Sequence, residues 1–216
     1  MGGGPTHERR PGRRPLRTAA SHALGDAVFT ANDWLGRKAA IHARSRRGKR
    51  FAAFGDGSVM CFPPAALYGE SAIRLGSDVL IGPYVSLSAG MAPGQPLISD
   101  SIVSIGDRCL IGRNSSIVGH LEIRIEEDVF FGPNVYVTDQ NHRVDQLDVP
   151  IGAQSQLEEP VVIGAGSWLG TNSVVLPGVT IGRHVAVGAG SVVTSDLPDN
   201  AVAAGVPARV LRIVEP

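Results

Sequence analysis

Residues 160–209 read PVVIGAGSWLGTNSVVLPGVTIGRHVAVGAGSVVTSDLPDNAVAAGVPAR. An aliphatic side chain returns at every sixth position, at Ile163, Leu169, Val175, Ile181, Val187 and Val193. Glycine follows at Gly164, Gly170, Gly182 and Gly188, and the residue four beyond the aliphatic one is small or β-branched: Ser167, Ser173, Val179, Val185 and Ser191. A period of six matches neither the 3.6 of a helix nor the two of an alternating strand. It fits a short strand plus a turn, repeated. The aliphatic residue points inward and stacks on its counterparts, the glycine permits a sharp bend and close backbone approach, and the fourth residue must fit a narrow interior. Three hexads make one coil of about 18 residues, closing a triangular prism whose coils hydrogen-bond at about 4.8 Å per step.

Working back from this run, the same period holds at Leu75, Ile81 and Leu87, at Ile105, Ile111, Ile117 and Ile123, and at Ile125, Phe131 and Val137. About five coils are expected, near 75–92, 105–122, 125–142, 163–180 and 181–198. Residues 90–101 interrupt the first two coils, the register slips by two residues at Ile123–Ile125, and residues 143–160 leave the repeat and rejoin it at Val161. A solenoid gains little from a long loop, so the 143–160 excursion points to a site or an interface. Residues 51–62 read as two short strands around Gly55-Asp56-Gly57. Cys109 falls at a small interior position, and Cys61 reads the same way.

The first 50 residues are different in kind. They hold 12 Lys and Arg against Glu8, Asp26 and Asp33, whereas residues 51–216 hold 8 Arg against 17 acids, so a net charge of zero hides a basic arm on an acidic body. Residues 1–22 are expected to be disordered and dispensable for chemistry, and residues 26–47 to form a helix with Val28, Trp34, Leu35 and Ile41 along one stripe. The division is therefore a 1–50 arm and a 51–212 repeat domain. The arm is a candidate for contact with an anionic membrane surface; a nucleic-acid partner is disfavoured because no nucleic-acid-binding fold follows it. The chain is 216 residues, with 27 Gly, 15 Pro and only 5% aromatics, which suits a fold that turns often around an aliphatic core. It contains no apolar run of about 18 residues, its N-terminus has no secretory pattern, and two cysteines exclude a disulfide framework, so a cytoplasmic location is expected.

Residues 139–142 (DQNH) stand directly before the excursion, and the run from 160 to 209 follows it. Together these segments resemble the hexapeptide-repeat acyltransferases, near the galactoside and maltose O-acetyltransferase group. The resemblance covers about residues 70–212 and leaves the first 50 outside it. It implies an all-β, left-handed parallel β-helix, assembled as a homotrimer, that moves an acetyl group from acetyl-CoA to a hydroxyl of a sugar or other small acceptor. It makes His142 the general base; read alone, His142 is a surface-loop histidine. Asp139 and Asn141 flank the base as orienting or acceptor-binding groups, with an Asx turn as the plain alternative, and Asn114 is an acceptor contact or a corner residue. On the cofactor side the resemblance implicates Trp168, Thr171, Ala189 and Thr194. The family often carries Lys where this chain has Ser195, so Arg209 or Arg212, with exposed amides near Gly205, would take over phosphate binding. Trp168 also reads as a subunit contact. His120 and His184 read as outer-face residues without a chemical role, and His7, His22 and His42 lie outside the domain.

Other chemistries fail on spacing. Residues 164–170 imitate a dinucleotide fingerprint but sit in a period-six run and do not precede a helix. The γ-class carbonic anhydrases share the fold, but His120, His142 and His184 lack their zinc-ligand spacing, so no metal is expected. A sugar nucleotidyltransferase would need a nucleotide-binding domain before the repeats. A non-catalytic β-helix scaffold is the alternative from another class, and the presence of His142 argues against it.

Overall fold

The computed structural model describes residues 16–215. The expectation for residues 1–15 lies outside the described residues; residues 16–22, expected to be disordered, are helical. The chain divides into two units, residues 1–38 and 39–216. The first holds all but the last residue of the helix Leu16–Ala39, which starts ten residues earlier than expected and ends eight earlier. Pro15 stands just before the first turn, the alanines at 19, 20 and 23 favour helix, and Arg37 and Lys38 lie in the last turn, where the helix dipole favours cations. Within the stretch expected to be its C-terminal half, residues 41–42 instead form the strand Ile41–His42, and a 3₁₀ turn Gly48–Arg50 follows just beyond it.

The second unit is a three-sided prism of parallel strands. Face I stacks Val59–Met60, Leu80–Ile81, Leu110–Ile111, Phe130–Phe131, Trp168–Leu169, Ala186–Val187 and Ala201–Gly205. Face II stacks Ala66–Tyr68, Ser86–Ala89, Ser116–Gly119, Tyr136–Thr138, Val174–Val175 and Val192–Val193, and face III stacks Ala53–Phe54, Ile73–Leu75, Val103–Ile105, Ile123–Ile125, Val161–Ile163 and Thr180–Ile181. Each coil visits faces III, I and II in that order, giving six coils where the repeat suggested about five. The additional coil spans residues 53–68, where the interior positions Phe54, Met60 and Leu67 are six and seven apart, an irregularity that conceals it in the sequence.

The hexad arithmetic explains the core. On face I, Met60, Ile81, Ile111, Phe131, Leu169, Val187 and Ala203 lie in register, all but fully buried. Each regular corner turns through a left-handed residue three positions after the interior one, as at Asp78, Arg108, Asn114, Asp128, Asn134, Asn172 and His184, or through Gly166, Gly178 and Gly190. The glycine directly after the interior residue serves close approach: a Cβ on Gly112 would lie 2.4 Å from the Gly132 carbonyl oxygen. Serine four positions on bridges coils inside the corner. The Ser167 hydroxyl donates to the Gly182 carbonyl at 2.9 Å and accepts from the Val185 amide at 3.1 Å, and Ser58 repeats this with Gly76 and Val79.

Face I is covered at both ends. Ile41–His42 pairs antiparallel with Val59–Met60, and Ala208–Ile213 folds back antiparallel on Ala201–Gly205, which protects the exposed sheet edges from pairing with other chains. At the N-terminal end the buried Glu70 carboxylate receives the Nε atoms of Arg47 and Arg50 at 3.5 and 3.6 Å, so part of the basic stretch is spent inside this unit.

Candidate active site

The corners between faces II and III are irregular except at residues 176–179. They hold Glu70–Ala72, the 90–102 loop, the three residues 120–122, and the 139–160 excursion. The corners between faces III and I keep the regular four-residue turn, and those between faces I and II depart from it only at residues 61–65, so most departures fall on the II–III edge.

Asp139 organises that edge. Its side chain is fully buried, and its carboxylate accepts backbone N–H groups from His120 (2.9 Å), Leu121 (2.8 Å) and Glu122 (2.8 Å). The two-residue register slip in the sequence is this corner, wrapped around an anion from the next coil. Burial pushes the Asp139 carboxyl up from its ordinary value while the three amides pull it down. The Asp139 carbonyl also accepts from Glu159 N at 2.9 Å, and the Glu122 carbonyl from Val161 N at 3.0 Å, which fixes the root of the excursion. Asp139 therefore faces the preceding coil, and its hydrogen bonds go to the backbone there, in place of the expected contact with an imidazole.

Beyond Asp139 the chain forms a ribbon, Gln140–His142 paired antiparallel with Gln156–Glu158, with Gln140 opposite Glu158, Asn141 opposite Leu157 and His142 opposite Gln156. Paired residues, and residues two apart, share a face, so His142, Gln156, Gln140 and Glu158 lie on one side. His142 is exposed, and its backbone N–H donates to the side-chain oxygen of the adjacent Asn141 at 2.9 Å. At the ribbon's root His120 Nδ1 lies 2.7 Å from Glu158 Oε1, with the two side chains 17% and 28% exposed. Sequence reasoning passed over His120; the register slip beside it was the available signal. The side-chain oxygens of Gln140 and Gln156 are buried without a hydrogen-bond partner on this same ribbon face.

The remaining candidates divide by edge. Asn114 is an exposed left-handed corner residue (φ 58°) between faces I and II, separated from the His142 ribbon by the width of face II. Thr171, Ala189 and Gly205 each lie two residues after an in-register interior residue, so they line that same I–II edge, with Arg209 on the adjoining terminal strand opposite Ala204 and Arg212 opposite Val202. Thr194 and Ser195 instead follow Val192–Val193, on the edge that carries the excursion. Trp168 is outward and 44% exposed, in register with Phe130 (45%), and Phe130 with Leu110, which pairs in turn with Leu80 (44%), so face I carries an apolar ridge. His184 sits on the third edge. Among the described residues no group of three or more His, Cys, Asp or Glu is placed to hold a metal ion.

Residues 151–195 match the family described as bacterial transferase hexapeptide (six repeats), and residues 102–119 match the hexapeptide repeat of succinyl-transferase. The chain is 32% identical over 156 residues to the putative lipopolysaccharide biosynthesis O-acetyl transferase WbbJ of Escherichia coli, covering 69% of this chain and 76% of that one. The chain belongs to the hexapeptide-repeat acyltransferase family. It is also 35% identical over 147 residues to the galactoside O-acetyltransferase of Escherichia coli, covering 68% of this chain and 66% of that one. A solved galactoside acetyltransferase in complex with coenzyme A superposes with a TM-score of 0.56 at 32% identity, over 67% of this chain and 66% of that one. The prism is accordingly the left-handed β-helix of this family. The chain spans from 36% to 66% of the length of the first curated relatives it matches.

Proposed function

We propose that this hexapeptide-repeat protein transfers an acyl group, acetyl in the simplest case, from acyl-CoA to a hydroxyl of a sugar or other small acceptor. The observation that carries this reading is the division of the candidate residues. His142 and the excursion stand on one edge of the prism, while Thr171, Ala189, Gly205 and Arg209 stand on another. One chain does not close these into a single pocket; the reading needs a second copy alongside to bring the two edges together. In this reading the protein is a homotrimer with three shared sites, and the Leu80–Leu110–Phe130–Trp168 ridge supports an interface on face I.

In this reading His142 removes the acceptor hydroxyl proton as its oxygen attacks the thioester carbon, a contribution of about 10²–10⁴-fold. The C–S bond then breaks, and the imidazolium returns the proton to the departing thiolate, leaving an ester and free CoA thiol. A backbone amide of the Gly-rich corners steadies the charge on the carbonyl oxygen. Arg209, aided by Arg212, takes the phosphate role that Ser195 leaves open. Release of thiol from acetyl-CoA across a panel of hydroxyl acceptors tests the reading; no release with any acceptor favours a scaffold.

A second assignment of the base has its own observation. His120 is the imidazole with a carboxylate on Nδ1, the arrangement that leaves Nε2 free to accept a proton. If His120 is the base, His120→Ala loses turnover and His142→Ala keeps it.

A further inference from the structure

We propose that the helix Leu16–Ala39 is a surface anchor that lies along an anionic lipid bilayer. Leu24, Ala27, Val28, Ala31, Trp34 and Leu35 follow the spacing i, i+3, i+4, i+7, i+10 and i+11, which places them on one side of a helix. All six are exposed: Leu24 68%, Val28 59%, Trp34 57% and Leu35 46%, with Ala27 and Ala31 also open to solvent. His22, Asp26 and Asp33 fall on the opposite side; Phe29, 72% exposed, stands off the stripe. The helix is not long and apolar enough to cross a membrane, so the stripe suits lying in the interface.

Charge decides the occupant. Residues 1–50 carry 12 Lys and Arg against 3 acids, and the cations bracket the stripe: Arg9, Arg10, Arg13, Arg14 and Arg17 before it, Arg37, Lys38, Arg44 and Arg46 after it. A bundle of such helices would bring like charges together at both ends, whereas an anionic headgroup layer supplies the counter-charge. The repeat domain, with 17 acids against 8 Arg, is repelled by the same surface, so attachment falls to the arm. An indole at the border of the stripe matches the preference of tryptophan for the headgroup level.

The test uses the full chain with vesicles of phosphatidylcholine alone or mixed with phosphatidylglycerol. Trp34 and Trp168 are the two tryptophans, so a Trp168→Phe background makes Trp34 the reporter. The expected result is co-sedimentation with the anionic vesicles only, reversed by high salt, with Trp34 emission shifted to the blue and quenched by brominated acyl chains. Leu24→Glu with Leu35→Glu should weaken vesicle binding by about tenfold or more, with helix content and solution mass unchanged. No co-sedimentation, equal binding to neutral vesicles, or an unshifted Trp34 overturns the proposal. A fall in solution mass in the double variant overturns it too, because the stripe would then be a contact between copies of the chain.

Discussion

His142 and Asp139 are three residues apart in sequence and opposite in circumstance. The first is exposed at the tip side of a ribbon, and the second is fully buried with three backbone amides on its carboxylate. Their substitutions should separate accordingly. His142→Ala is expected to lower kcat by about 10²–10⁴-fold with acetyl-CoA binding nearly intact, read by thiol release and by calorimetry; unchanged turnover shifts the base to His120. Arg209→Ala is expected to raise the KM for acetyl-CoA with a smaller effect on kcat. Asp139→Ala should act on stability: three N–H groups lose their acceptor, and a loss of about 2–5 kcal/mol is expected in denaturant unfolding. A wild-type midpoint for that variant means the 120–122 corner does not depend on the carboxylate.

At the scale of the element, each short strand contributes little, and register is set by one interior side chain per hexad. Ile181 is fully buried, in register with Ile163 on one side and bridged to Leu197 on the other. Ile181→Asp places a charge in an interior that offers it no partner, so a loss above about 4 kcal/mol and a sharply lowered Tm are expected. If its thermal unfolding matches the parent, the interior position has been misassigned. The corner serines supply the complementary lesson. Ser167 and Ser58 are selected as much for bridging two coils through one hydroxyl as for small size.

For the whole molecule, the sites proposed above exist only if copies associate. Light scattering should give a mass three times 22.6 kDa, and Trp168→Glu, which puts a charge into the face I ridge, should reduce that mass and the turnover together. A monomer that keeps full activity would exclude the shared site.

The sequence alone determined the prism, its three interior ladders and the place of the excursion, because a six-residue period with inward aliphatics and close-approach glycines is local chemistry repeated. It did not disclose the coil at 53–68, where the spacing is irregular, nor the helix limits, where composition is permissive from residue 16 onward. The roles of Asp139 and His120 depended on tertiary structure, because their partners lie 17–19 and 38 residues away and meet only when coils stack. The division of the candidate residues between two edges was likewise invisible in the chain, since an edge is defined by which turn lies above which, and that is a property of the wound prism.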